Sequence, residues 1–441
     1  MEMSGRFGKF LDKSRKTIGS ENIVVFAIGI ILTFSQLRQL LGAAINVISG
    51  NGILIATGFL MLVGLCTALI ALPVVMKALN RVDWVIFGVS SLITAISFFF
   101  STNQAVFFYV FKTTIARCIP LYLLFRAIEN PLTFFTKARV IAYVLLVFEL
   151  LSVTVWRSGW DRGYSMSLGD ETLSTLTIFL ISLLIKWRWP DLFAGSLSLV
   201  IIFLAGTRGP FFIALAILGL FILYCFIKRK FHSVMRLVGL AVVSVVLFLG
   251  TSLLAGSISF VGILTSGEDD RMVAIDPSAS RILALQNNNK LFLSTPRFRI
   301  YASAWDIASN NLFLGTGIIN DRIALSGEGA DDEAKAKGIA SGYAHNIALE
   351  VLLQFGLLPG AGLMIAYIVF LVSAYRRLED YENRVFFLAL CCLAIPPLIT
   401  SHSYLQYPMF YAFNGYMISR FQAGAHKTGQ KADTQTQAIK V

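Results

Sequence analysis

The stretch GILIATGFLMLVGLCTALIALPVVM, residues 52–76, contains 25 positions and no charged side chain. A helix of about 20 apolar residues is long enough to cross the hydrocarbon core of a bilayer. This stretch therefore predicts a membrane-spanning helix, and similar runs recur along most of the 441 residues. In the whole chain 56% of residues are hydrophobic and 14% are charged, against about 25% charged residues in soluble domains.

Twelve apolar runs predict an all-α fold, a polytopic membrane helical bundle of about twelve transmembrane helices. The predicted spans lie near residues 22–39, 52–76, 84–100, 105–125, 140–156, 172–185, 191–206, 209–227, 237–256, 346–375, 385–400 and 404–419.

Lysine and arginine are distributed unequally between the connections of these spans. With the N-terminus inside, the short cytoplasmic connections carry clusters such as residues 228–230, whereas the short outer connections carry only Arg157, Arg162 and Arg208. Such asymmetry sets the orientation of a membrane protein. It predicts that both termini are cytoplasmic, and it explains the net charge of +12 without a nucleic-acid partner.

One long polar segment interrupts the series of spans. The predicted organisation is a cytoplasmic tail at residues 1–21, transmembrane helices 1–9 at 22–256, a large outer loop at 257–344, transmembrane helices 10–12 at 345–421 and a cytoplasmic tail at 422–441. Unstructured connections longer than about 15 residues are uncommon and often functional. Within the loop, residues 296–317 predict an amphipathic helix, whose apolar face carries Ile300, Ala304, Ile307 and Ala308.

Motifs for metal or nucleotide binding are absent from the sequence. All five cysteines fall in apolar runs, and histidine and cysteine do not occur together at metal-ligand spacing. We therefore expect no metal site and no cofactor.

Several cationic side chains are predicted at the outer side of the membrane. Arg208 stands in a short outer turn, Lys112 and Arg117 fall in the outer half of a span, and Arg297 and Arg299 begin the loop helix. A charge near the bilayer is costly unless it has a partner or a task, and guanidinium groups bind phosphate oxygens well. Each cation also has an interpretation without phosphate binding. Arg208 could snorkel to lipid headgroups, and Arg297 and Arg299 could simply be exposed to solvent. Lys112 and Arg117 could lie outside the span if its predicted position is wrong by one turn.

A histidine stands where the outer loop gives way to the next apolar run, in SGYAHNIALEVLLQFGLLPGAG, residues 341–362. A neutral imidazole is the usual general base near pH 7, so His345 is a candidate base, although an interfacial histidine without chemistry fits equally well. Asn346 could orient His345 or cap the following helix. Glu350 could hold a cation or help to set the imidazole. Gly356 and Gly360 suggest close helix packing.

Three motifs together resemble the O-antigen ligase and O-antigen polymerase family of GT-C-like membrane glycosyltransferases. They are GTRGPFFIAL around Arg208, RFRIYASAWDIASNNLFLGTG from Arg297, and HNIALEVLLQFGLLPG from His345. In the second motif Arg297 has the better register to Tyr301, with Arg299 as a rival. The resemblance covers roughly residues 204–360 and includes the layout of helices and one large loop.

The resemblance implies transfer of a glycan from undecaprenyl pyrophosphate at the periplasmic face of the bacterial inner membrane, without metal or nucleotide. It assigns the pyrophosphate to Arg208 and Arg297 and activation of the acceptor to His345. Further substrate contacts are expected from Lys112, Arg117, Arg299, Tyr301, Asn346 and Glu350.

Ligation of the glycan to lipid A core is the leading interpretation, polymerisation of repeat units is its close rival, and transfer to protein is a third possibility. Ligases transfer to a sugar hydroxyl of lipid A core, polymerases to a second carrier-linked unit, and related enzymes to protein hydroxyls. A twelve-helix secondary transporter is the alternative from another class. It would show two related halves and a site at the membrane midplane.

Overall fold

The computed structural model describes residues 20–46, 51–101, 104–153, 166–205, 208–254, 296–325, 343–400 and 402–422. These residues form helices and contain no strand, which confirms the predicted all-α class. The helices before the large loop are α1 (Ser20–Asn46), α2 (Gly52–Ala78), α3 (Arg81–Phe99), α4 (Gln104–Thr113), α5 (Ile119–Arg126), α6 (Pro131–Leu151), α7 (Met166–Ile185), α8 (Trp189–Leu204), α9 (Arg208–Ile227) and α10 (Phe231–Leu254). Those that follow are α11 (Pro296–Ser309), α12 (Asn320–Ala324), α13 (Ile347–Phe355), α14 (Leu357–Arg376), α15 (Tyr381–Thr400) and α16 (408–422).

Among the described residues, eight helical stretches are long and apolar enough to cross a membrane, so the chain is a multi-pass membrane protein. Their bounds are Gly52–Ala78, Arg81–Phe99, Val106–Arg126, Leu168–Ile185, Gly209–Ile227, Phe231–Gly250, Leu357–Arg376 and Tyr381–Thr400. Two of the other predicted spans correspond to shorter apolar helices, Glu21–Phe34 and Trp189–Leu204. The spans predicted near 140–156 and 404–419 coincide with parts of α6 and α16. The count of twelve stays a prediction, and so does the outer position of the loop, most of which lies outside the described residues.

The span predicted at 346–375 is two helices instead of one. α13 ends at Phe355 and α14 begins at Leu357, with Gly356 between them at φ +87°. A residue without Cβ adopts this conformation without steric cost. Gly356 is thus a helix break, a role that the sequence did not predict. Both glycines also pack closely: a Cβ at Gly356 would lie 2.8 Å from the carbonyl carbon of Phe313, and one at Gly360 would lie 3.0 Å from the Cα of Leu352.

The segment after α11 completes the hydrogen bonds of this break. The carbonyls of Asn311 and Leu312 accept from the first two N–H groups of α14, at 3.1 and 2.9 Å. The N–H groups of Thr316 and Gly317 donate to the carbonyls of residues 353–354, at 2.8 and 3.1 Å. Helix ends leave such groups without intrahelical partners, and here the backbone of residues 311–317 supplies them.

The chain divides into two compact units, residues 1–72 with 130–289 and residues 73–129 with 290–441. In the first unit α6, α7 and α8 pack together, and α10 crosses α8 where a Cβ at Gly195 would lie 2.8 Å from Leu240. The core between α6, α7 and α8 contains Ala142, Leu146, Phe179, Ala194 and Ile201.

The second unit is held at one end by a buried ion pair between α3 and α5. Asp83 accepts hydrogen bonds from the Tyr122 hydroxyl at 2.6 Å and from Nε of Arg126 at 3.2 Å. α16 packs closely on α5, because Gly415 leaves no room for a Cβ beside the Tyr122 carbonyl.

Side chains of α11 and α13 form a small core next to the candidate site of this unit. Ile300, Ala304 and Ala308 of α11 are buried there, and Ile307 is partly buried against them, as the sequence pattern predicted. The other buried members are Leu325, Ala344 and Leu353.

Candidate functional site

The candidate base His345 lies between two anchored residues. Ala344, before it, is fully buried in the core that α11 shares with α13. Asn346, after it, caps α13: its side-chain oxygen accepts from the N–H groups of Ala348 and Leu349, at 2.9 and 3.3 Å. The predicted capping role of Asn346 is thus confirmed. Its amide also donates to the Ile399 carbonyl at 3.3 Å, which ties the start of α13 to α15.

The backbone of His345 adopts an uncommon conformation. Its φ is +51°, in the left-handed region, which costs a residue with a Cβ about 1–2 kcal/mol. Its half-buried imidazole contacts the ring of Tyr343, with ring centroids 4.0 Å apart and planes inclined by 42°. Strained residues of this kind persist where the surroundings impose them, and they cluster at functional sites.

A buried polar network holds α13 against the turn of residues 402–407. Glu350 is fully buried, and its carboxylate accepts from the Ser403 hydroxyl and, at 3.2 Å, from the N–H of Tyr404. One turn later Gln354 accepts from the Tyr404 hydroxyl and donates to Oδ1 of Asp321 at 3.0 Å. Glu350 thus binds the turn, and its predicted contact with substrate stays a prediction.

The two carboxyl groups of this network are perturbed by their surroundings. Burial raises the pKa of Glu350 to about 8, and the neighbouring Asp321 charge adds to the effect. Burial also raises the pKa of Asp321 to about 6, against the opposing effect of Arg322. Burial thus favours the neutral form of both carboxyl groups, and the Arg322 guanidinium opposes this effect at both of them.

Arg322 is the cation of this cluster. It is 2% exposed, and its guanidinium carbon lies 5.0 Å from the centroid of the Tyr343 ring. Its Nε and Nη2 have no hydrogen-bond partner within the described part of the chain. The sequence interpretation missed Arg322, Asp321 and Tyr343. The one available signal was the short charged pair between apolar residues in IINDRIAL, residues 318–325.

The predicted cationic residues fall in different parts of the structure. Arg297 and Arg299 lie in the first turn of α11, and Arg208 is the first residue of α9 in the first unit; the positions of all three side chains lie outside the described part of the structure. Ile300, three residues after Arg297, shares the core that contains Ala344, next to His345. Within the second unit, α11, whose first turn contains Arg297, therefore packs beside the segment that carries His345.

The remaining predicted residues also lie in the second unit. Lys112 of α4 is exposed, and Tyr301 of α11 is half-buried. Arg117 lies in a π-helical turn, Thr114–Cys118, between α4 and α5. Its buried Nε lacks a hydrogen-bond partner among the residues that the structure describes. The hydroxyl of Thr114 donates to the carbonyl of Leu405 at 2.7 Å, so this turn contacts the same 402–407 segment as Glu350. Such turns are frequent at functional sites.

Among the residues that the structure describes, no group of three or more His, Cys, Asp or Glu side chains could hold a metal ion. The chemistry available to the described site is that of an imidazole, buried carboxyl groups and a guanidinium group.

Replacement of Glu350 by Gln tests the buried carboxyl. A carboxyl whose pKa is raised in the folded state binds its proton more tightly there than in the unfolded state. The contribution of Glu350 to the stability of the fold therefore falls as pH rises from about 5 to about 8. Glu350→Gln should make the melting temperature of the detergent-solubilised protein less dependent on pH across that window. At the acid end the melting temperatures of variant and parent should agree, because Gln resembles the protonated form of Glu. An unchanged pH dependence would contradict the assignment, and Glu382→Gln, on half-exposed Glu382 of α15, is the matched control.

Comparison with known proteins adds family information to this geometry. Residues 193–365 match the model of the O-antigen ligase family. No curated protein matches the chain. The matched range runs from α8 into α14 and includes Arg208, Arg297, Arg322 and His345. The match confirms the resemblance to the O-antigen ligase and polymerase family over residues 193–365, and it implies a glycosyltransferase-like enzyme.

Proposed function

We propose that the protein is an O-antigen ligase of the bacterial inner membrane. It transfers a glycan from undecaprenyl pyrophosphate to a sugar hydroxyl of lipid A core at the periplasmic face. The observation that carries the proposal is His345, whose backbone is strained and anchored on both sides within the matched range of residues. The core that Ile300 of α11 shares with Ala344 supports a role for Arg297, whereas the role of Arg208 rests on the resemblance alone.

The proposed reaction is a direct displacement. The imidazole of His345 removes the proton of the acceptor hydroxyl, and the hydroxyl oxygen forms a bond to the anomeric carbon of the donor. The bond from that carbon to the pyrophosphate oxygen breaks, and its electron pair leaves with the pyrophosphate. Arg208 and Arg297 stabilise the charge that develops there. The anomeric configuration is inverted, and no metal or nucleotide takes part.

Removal of the proposed base or of either arginine should reduce transfer strongly. His345→Ala is expected to lower the rate by about 10²–10⁴-fold, the usual contribution of a general base. Arg297→Ala and Arg208→Ala should raise the donor KM and lower kcat, whereas Arg299→Ala should have the smaller effect. The measurement is transfer by purified protein in detergent, with membrane insertion checked separately.

His232→Ala is the matched control, because His232 is exposed on α10 in the first unit. Parental activity in any two of the His345, Arg208 and Arg297 variants would refute the site assignment.

The acceptor is tested by incubating purified protein with carrier-linked glycan and lipid A core and separating the lipid products on a gel. A ligase produces capped core. A ladder of longer carrier-linked chains, with the core unchanged, would instead identify a repeat-unit polymerase, and glycan on protein would identify a protein O-oligosaccharyltransferase. The transfer should persist in EDTA, and loss of activity restored by a divalent cation would contradict the metal-free mechanism.

A further inference from the structure

We infer that Tyr343 and Arg322 are positioning residues that hold the imidazole of His345 for proton removal. This inference rests on the proposed function of His345. It adds two residues to the site that neither the sequence motifs nor the family match assigns.

The backbone of His345 is held in place by its two neighbours in the chain. Ala344 and Asn346 fix the main chain on either side, through burial and through the helix cap. Both of these restraints act on the main chain. The ring of Tyr343, with centroids 4.0 Å apart, is the aromatic contact that restricts the imidazole of His345.

The ring of Tyr343 is in turn contacted by a buried cation, Arg322. Arg322 comes from another element, α12, and its guanidinium lies over the Tyr343 ring at 5.0 Å. A cation over the face of a tyrosine ring is attracted by the ring's negative face, more strongly when both are removed from water. Because Arg322 is buried, and two of its nitrogens lack hydrogen-bond partners among the described residues, this ring contact is a principal interaction of its side chain there.

The short helix α12, which carries Arg322, is itself held by hydrogen bonds to α13. Asp321, next to Arg322, is bound by Gln354 of α13, and Gln354 is bound by Tyr404. The series of contacts from the 402–407 turn through α13 and α12 therefore ends on Tyr343 and His345. Buried networks of this kind keep a reacting group in one geometry, and an error of about 1 Å in that geometry can cost about 10²-fold in rate.

The test compares side chains at position 343 that keep or remove the ring. Tyr343→Phe should retain the parental kcat within about twofold, since the ring and its contact with the cation remain. Tyr343→Leu should lower kcat by about 10–100-fold with the donor KM unchanged, because positioning acts on the chemical step. Arg322→Lys should be less impaired than Arg322→Met, since the ammonium keeps the charge over the ring. Rates are normalised to folded protein, and Trp305→Leu removes an exposed ring of α11 as control.

The outcomes separate this inference from the proposed function. If His345→Ala is inactive and Tyr343→Leu has the parental kcat, the positioning role is wrong and the base assignment stands. If Tyr343→Leu and Tyr343→Phe are equally impaired, the ring contact is not the cause. If His345→Ala itself retains transfer, the proposed function fails.

A different observation carries a second inference, which concerns the segment after α11. Leu312, Phe313 and Leu314 are 46%, 67% and 82% exposed, although their backbone is bound to the break between α13 and α14. Gly315 lies so close to α13 that a Cβ there would be 2.3 Å from the Leu353 carbonyl. The segment is thus held tightly by its backbone while three large apolar side chains point outward.

We propose that Leu312, Phe313 and Leu314 insert into the acyl-chain region of the bilayer. Leu312 accepts a hydrogen bond from the N–H of Leu358, at the beginning of the membrane-spanning helix α14. Little of the apolar length of α14 is buried within the described part of the protein, and Leu358 is itself exposed. The apolar surface of α14 therefore continues onto the segment, at the level where the helix enters the membrane.

Bilayer insertion is tested by depth-dependent fluorescence quenching. In phospholipid vesicles, Phe313→Trp should add emission that is quenched by lipids brominated near the headgroup end of the acyl chains, relative to the parent protein. Ser309→Trp, at the end of α11, should be quenched less by these lipids and more by aqueous iodide. Equal quenching at both positions, or quenching of Phe313→Trp by iodide alone, would overturn the proposal.

Discussion

Glu350 and Asp321 are fully buried carboxyl groups in a mostly apolar chain, and a buried carboxyl is stable only where hydrogen-bond donors or a counter-charge accompany it. The donors come from the 402–407 turn and from Gln354, and the counter-charge comes from Arg322. This requirement joins α12, α13 and the turn between α15 and α16. The position of His345 at the start of α13 depends on that arrangement.

The sequence predicted those features that follow from local patterns. Apolar runs identified the membrane helices, since length and hydropathy are sufficient for that purpose. The spacing of Ile300, Ala304 and Ala308 identified α11, and Asn346 identified the start of α13 because amide side chains cap helices. His345 was singled out by its place at the edge of a polar loop.

Other features depend on contacts between distant parts of the chain and could not be predicted. Asp321 and Arg322 stand in a short apolar stretch of the long polar loop, where a buried ion cluster and a solvated pair have the same local sequence. Gly356 lies in an apolar run that a continuous helix would also satisfy, and only its φ identifies a break. Tyr343 has a functional interpretation only because α12 brings Arg322 to its ring.

The break at Gly356 has a consequence for how this region can vary. Backbone groups freed by a broken helix near a membrane must be satisfied within the protein, and here residues 311–317 satisfy them. The segment and the break are therefore one interdependent module, although about forty residues of sequence separate them. Exchange between homologous domains would have to transfer both parts together, because either part alone would leave unpaired peptide groups at the edge of the bilayer.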